Sequence, residues 1–178
     1  LAHSICTYLA QPSKKKKKGT FPDELEKLGR DALVIQGATS TWHRPASMEQ
    51  LVSLKAEFPW ARLISGNTEV AIETKFKHKR YGALIGLSAI DEMHSIDDDD
   101  SAFRSGGAVT LAQLMKFESD DSGMVAIRQM LKWFGSTQIR NVASVAGNLA
   151  TASPIADMNP MLVALGARLL VKSTEGER

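Results

Sequence analysis

Two short apolar runs separated by a helix-length stretch constrain this chain more than any other feature. Arg62-Leu63-Ile64-Ser65 and Ala83-Leu84-Ile85-Gly86-Leu87 each read as a short buried strand. Glu69 to Lys77, between them, can begin as a helix, although Val70, Ile72 and Thr74 weaken it. Two buried strands with such a crossover predict a small parallel α/β lobe. Ahead of them, Thr41-Trp42-His43-Arg44-Pro45 is an extended lead-in, because the residue before a proline is pushed out of the helical region. Ser47-Met48-Glu49-Gln50 has the spacing of a capping box, and Met48, Leu51, Val52 and Leu54 give the helix after it an apolar face.

The first run ends in Gly66-Asn67-Thr68 before the helix begins. A strand that ends in glycine and two small polar residues can present successive N–H groups, the Asn67 amide and the Thr68 hydroxyl to an anion at a helix N-terminus. It can equally be an ordinary strand-to-helix turn with Thr68 as the cap.

The second half reads as another α/β lobe. Asp97 to Asp100 predicts an acidic, exposed turn without the spacing of a calcium loop. Phe103 to Val109 is strand-like, Leu111, Leu114 and Met115 mark a helix, and Met124, Ile127, Met130, Leu131 and Phe134 mark a longer one. Ala167 to Lys172 predicts a last strand, and Asn159-Pro160 the first turn of a helix through Leu165. The segment from Asn141 to Pro160 is rich in Ala, Ser, Gly, Thr and Asn. Small residues let a backbone approach a ligand, hydroxyls and amides then supply donors, and Asp157 can accept from ribose or ring N–H groups. The same composition also suits a packing interface between helices. Phe134 is either a core aromatic or a flat face for a ring.

Charge and signatures exclude several classes. Five of the 22 basic residues form one run, Lys14 to Lys18, and the remaining 17 face 20 acidic ones. A folded part that is slightly acidic does not suit nucleic acid. No apolar run approaches the length of a membrane span. One cysteine, Cys6, cannot build a disulfide, a Cys-rich zinc site or an iron–sulfur cluster. His3, His43, His78 and His94 have no metal-ligand spacing, and nucleophile-elbow, zincin, Walker A and G-x-G-x-x-G patterns are absent. Residues 1–36 read as a linker with a short helix from Asp23 to Gly29. The ends suggest a fragment of a longer protein.

Taken in order, Gly66-Asn67-Thr68-Glu69, Lys75-Phe76-Lys77, Trp133-Phe134, Ala143 to Asn148 and Thr151 to Pro160 closely resemble the flavin domain of the molybdenum hydroxylases, the xanthine dehydrogenase family. Trp42-His43-Arg44-Pro45 resembles the start of that domain, so the resemblance runs from Thr41 onward. It implies an α/β (α+β) fold of the PCMH, vanillyl-alcohol-oxidase type. A first FAD-binding lobe would span 37–92. A second, with a mixed or antiparallel sheet, would span 93–178, and the C-terminal part of the domain would lie beyond the chain. FAD would sit between the lobes. Leu63, Ile64, Ser65, Gly66, Asn67, Thr68, Glu69 and Val70 would line its diphosphate and ribityl region, and Phe134 would pack on a ring. Ser144, Val145, Ala146, Gly147 and Asn148 would form a second cradle beside Thr151, and Asp157 would hold a polar part. The family usually has glycine where this chain has Ala146, and often where it has Ala71.

No residue here is expected to be catalytic or to bind metal. Molybdopterin and two [2Fe-2S] clusters would lie outside the chain, as would the site of the purine substrate (hypoxanthine or xanthine). Electrons would reach FAD and pass to NAD or oxygen. The resemblance also implies a homodimer in the cytoplasm or peroxisome, with no nucleic-acid or membrane partner. Aldehyde oxidase is the alternative within the family. A truncated product without flavin is the alternative outside it.

Overall fold

The computed structural model describes residues 30–99 and 101–178. The lysine run and the helix expected over 23–29 lie outside the described residues. The first layer is a four-stranded sheet of β1 (Leu33–Gln36), β2 (Thr41–Arg44), β3 (Arg62–Ile64) and β4 (Ala83–Gly86), in the order β1-β2-β4-β3. β2, β4 and β3 are parallel, in the register Trp42–Leu84 and Leu63–Ile85, as the crossover predicts. β1 pairs antiparallel with β2 and is an addition, since residues 1–36 were expected to be linker and helix. All four of its residues are exposed, so it lacks the in–out alternation that signals a strand.

Helix α1 (Met48–Glu57) joins β2 to β3, and α2 (Thr68–Phe76) joins β3 to β4. Ser47 caps α1 through the N–H of Gln50, but the Gln50 side chain reaches back to the N–H of Ala46, not Ser47, so the capping box is half made. Leu51, Ala61, Ala83, Ile85, Leu87 and Ile90 form the core between sheet and helix. β3 was expected to be buried, yet it is the sheet's other edge and only Ile64 is covered, while Leu63 is exposed. Gly86 allows Trp42 to lie across β4, because a Cβ there would meet the indole ring.

A 3-10 turn (Asp91–His94) leads to a hairpin of β5 (Ile96–Asp99) and β6 (Ala102–Ser105). Asp97 to Asp99 therefore lie in a strand where a turn was expected, and Asp100 is outside the described residues. Arg104 stands opposite Asp97 and ion-pairs with Asp99. Asp99 Oδ1 accepts from the Ser101 N–H (2.8 Å), the Ser101 hydroxyl and the Ala102 N–H (3.0 Å). These contacts, the Ser101 hydroxyl foremost and the Arg104 guanidinium next, hold the Asp99 carboxyl well below the usual carboxylate range.

Then follow α3 (Leu111–Lys116), α4 (Ser122–Leu131), α5 (Thr137–Arg140), α6 (Val145–Thr151) and α7 (Met158–Ala164). Thr110 and Gln113 make a complete capping box on α3. Met124, Ile127 and Leu131 turn the buried face of α4 inward, against Val109, Leu111, Leu114 and Met158. Ala108 belongs to the first core and Val109 to the second, so the chain passes between cores at consecutive residues. The strand expected over Ala167–Lys172 is shorter and later. β7 (Lys172–Ser173) pairs with β8 (Gly176–Glu177), while Leu169 and Leu170 are exposed. No described helix is long and apolar enough to cross a membrane.

Candidate functional site

The site begins with the strand–turn–helix unit. Asn67 sits at the N-cap of α2 in the left-handed region (φ 58°) and its side chain makes no capping bond. Asparagine tolerates that conformation better than most residues. Thr68, expected as the cap in the simpler reading, is the first residue of the helix. The N–H of Ala71 reaches the Asn67 carbonyl (3.0 Å), whereas the N–H groups of the first helical residues have no intrahelical acceptor. The turn therefore offers unpaired donors at the positive end of a helix.

The second wall comes from the small-residue segment, which forms α6. Ser144 is its N-cap, accepting from the Gly147 N–H (3.2 Å). Main-chain bonds fix it to the loop before α3: Leu111 N–H to Ala143 O (2.9 Å), Val145 N–H to Val109 O (3.1 Å) and Ala146 N–H to Gly107 O (3.0 Å). The Ala146 methyl occupies space that Gly107 leaves free, since a Cβ on Gly107 would stand 3.0 Å from it. Ala146 is helical and not among the residues with positive φ, so alanine is unstrained at the position where the resemblance implied glycine.

The two walls meet at Gly66. A Cβ on this residue would run into the Val142 carbonyl and lie 3.0 Å from the Ala143 nitrogen. Backbone touches backbone here, which only glycine permits. Between the walls lies a cleft of about 460 Å3. Leu63 to Val70 without a break, Phe134, Ser144, Ala146, Gly147, Asn148 and Thr151 all line it. Val145 and Asp157 do not: Val145 turns into the second core and Asp157 is an exposed N-cap of α7.

Lys55, Ala61, Arg62, Leu87, Met93, Gly107, Ile139, Ala143 and Ala150 line the cleft without having been expected there. The Gly106-Gly107 pair was the available signal, because a Cβ on Gly106 would stand 2.5 Å from the Met93 main chain. The Lys55 ammonium is held by the carbonyls of Pro59 (2.5 Å) and Ala61 (2.9 Å). Arg62 pairs with Glu73 at 3.8 Å and Glu69 with Lys77 at 3.9 Å.

Three buried side-chain atoms among the described residues lack a hydrogen-bond partner: His43 Nδ1, Asn148 Oδ1 and Asn159 Oδ1. Only Asn148 is in the cleft. A buried acceptor left unpaired costs stability, so its presence in a cavity wall marks a place for a donor. The walls contain no histidine or cysteine and a single carboxylate, Glu69. Among the described residues no cluster could hold a metal ion. The arrangement suits gripping an elongated ligand with an anionic stretch and a flat ring.

Residues 35–178 match the family described as the FAD binding domain in molybdopterin dehydrogenase. Xanthine dehydrogenase of Oryza sativa subsp. japonica is 41% identical over 93% of this chain, and xanthine dehydrogenase/oxidase of Gallus gallus 34% over 94%. The chain spans 13% of the length of these relatives. Among solved structures, reconstituted CO dehydrogenase from Oligotropha carboxidovorans superposes with a TM-score of 0.73 at 25% identity, over 81% of this chain and 50% of that one. Quinoline 2-oxidoreductase from Pseudomonas putida 86 shares the fold, with a TM-score of 0.74 at 24% identity over 80% of this chain and 50% of that one. A two-walled cleft on a mixed α/β scaffold, matched over most of its length, places this chain in the family of FAD-binding domains of molybdopterin dehydrogenases.

Proposed function

We propose that this cleft holds FAD and that the chain serves a xanthine dehydrogenase-like molybdenum hydroxylase. The observation that carries the reading is the pairing of unpaired donors on one wall with an unpaired acceptor on the other. The first turn of α2 supplies N–H groups for the diphosphate, and Asn148 Oδ1 supplies an acceptor for a hydroxyl or ring N–H. The small side chains of Gly66, Ala146 and Gly147 leave the backbone accessible. Phe134, half-buried against the second core, offers a rigid aromatic face. The residues present therefore fit the cofactor.

When bound, FAD supplies the redox chemistry that carries electrons from a purine, oxidised outside this chain, toward NAD or oxygen. The chain's own residues bind and orient it and exclude water from its polar groups. The identities to xanthine dehydrogenases favour a purine over an aldehyde as the parent substrate.

The test is a fluorescence titration of the chain with FAD, comparing wild type with Asn67→Gly. Glycine keeps φ 58° accessible and removes only the amide side chain. Affinity should fall about tenfold for the loss of one hydrogen bond to a charged group. Unchanged affinity would contradict the assignment of the turn. In an enzyme that joins this chain to iron–sulfur and molybdenum domains, xanthine should be turned over in preference to an aldehyde, and the reverse preference would contradict the substrate reading.

A further inference from the structure

We propose that Glu73 is a positioning residue for the FAD cradle, fixing the direction of α2 from outside the cleft. The proposal rests on the FAD reading above. Helix α2 has little else to hold it. Val70 is its one buried residue, Ile72 and Phe76 are exposed, and Asn67 gives no side-chain cap. Its first turn nevertheless forms part of the cleft wall, so the aim of its unpaired N–H groups depends on how the helix is anchored.

The anchor is Glu73, which does not line the cleft. Its side chain is 14% exposed, and its carboxylate gathers three partners from two pieces of chain, β3 and the loop between α2 and β4. The Tyr81 hydroxyl, on the way into β4, donates to Oε2. Lys79, in the loop after α2, donates to Oε1 at 3.3 Å. Arg62, the first residue of β3, lies 3.8 Å from Oε2. The Glu73 carbonyl also accepts from the N–H groups of Lys77 (3.2 Å) and Lys79 (3.0 Å), closing the helix around His78 at φ 52°. One exposed Lys–Glu pair contributes little. Three partners together restrict the carboxylate, and Arg62 and the α2–β4 loop thereby restrain the helix. The Arg62–Glu73 pair also ties the start of β3 to α2, the two elements that the Ser65–Asn67 turn joins. The Tyr81 hydroxyl, and after it Lys79, keep the Glu73 carboxyl below the usual carboxylate range against the opposing effect of burial, so it is charged at neutral pH.

The test compares FAD with riboflavin, which lacks the diphosphate, by fluorescence titration of the full chain. Thermal unfolding is followed in parallel without flavin. Glu73→Ala should weaken FAD about tenfold and leave riboflavin within about twofold. Glu73→Gln, which keeps an oxygen for Tyr81, should fall between wild type and Glu73→Ala. Tyr81→Phe removes one hydroxyl without changing shape and should weaken FAD alone by about two- to threefold even if Glu73→Ala proves unfolded. FAD affinity unchanged in Tyr81→Phe and Glu73→Gln overturns the proposal. So does a parallel loss of FAD and riboflavin with a fall in unfolding temperature, which marks a general packing role. A wild-type chain that takes up no FAD overturns the cofactor reading itself, a result separate from the behaviour of the variants.

Discussion

Gly66→Ala tests whether the two walls of the cleft depend on one backbone contact. The new Cβ would overlap the Val142 carbonyl, and the obstacle is main chain, which cannot swing aside as a flexible side chain could. The walls must part by about 1.5 Å to restore van der Waals separation. Forcing an extra methyl into a packed site costs about 1–3 kcal/mol, and backbone against backbone belongs at the upper end, about 3 kcal/mol. For a chain of this size each kcal/mol lowers the melting temperature by roughly 2–4 °C, giving a fall of about 6–12 °C. Gly66 is not among the glycines with positive φ, so the effect is steric and not conformational. Gly82→Ala is the matched control, because nothing lies within 4 Å of its Cβ position, and it should stay within about 0.5 kcal/mol of wild type. The assay is thermal unfolding of both variants, with and without FAD. FAD affinity should drop between tenfold and a hundredfold, about 1.4–2.8 kcal/mol, in Gly66→Ala alone. If the two variants melt together and bind FAD equally, the contact does not hold the cleft.

Three further predictions follow from single contacts. Asn148→Leu replaces a buried, unpaired acceptor with an apolar group of similar shape, so the flavin-free chain should gain about 1 kcal/mol while FAD affinity falls tenfold or more; a loss of stability without flavin would contradict this. Ser144→Ala removes the cap bond to the Gly147 N–H and should cost about 1 kcal/mol, read as a drop of about 2–4 °C in melting temperature. Asp99→Asn tests the hairpin through its pH dependence. The carboxyl of Asp99 is depressed in the fold, so its contribution is complete above its ordinary value of 3.8 and fades as pH falls below it. The melting difference between wild type and Asp99→Asn should be constant from about pH 7 to 5 and shrink below about pH 4, whereas a difference independent of pH would rule out the charge.

The parts of the fold that local chemistry dictates were legible in the sequence. Arg62–Ile64 and Ala83–Gly86 are parallel strands around a helix, and the Gly66-Asn67-Thr68 turn lies where strand and helix meet. Met124, Ile127 and Leu131 bury the face that their spacing marks. The failures have physical causes too. Leu33–Gln36 is an edge strand exposed on both faces and so carries no alternation. Asp97 and Asp99 sit in a strand because Arg104, facing them across the hairpin, offsets a repulsion that the run alone predicts. Val145 to Thr151 forms a helix where composition suggested only small residues, because the Ser144 cap and three main-chain bonds to neighbouring loops support it. The cleft was only half legible. The turn and the small-residue segment announced themselves, but Lys55, Met93 and Ile139 reach the wall through tertiary packing that no local pattern encodes. Asp157 looked chemically apt and lies outside the wall, since α7 carries it to the surface.

The central claim is that FAD lies between the Leu63–Val70 wall and the Ser144–Thr151 wall. Hydrogen–deuterium exchange of the chain with and without saturating FAD tests it most directly. FAD should slow exchange in both segments together, and most at the first-turn amides of α2, which have no acceptor without it. Protection of neither segment, or protection confined to residues 32–45, none of which line the cleft, would contradict it.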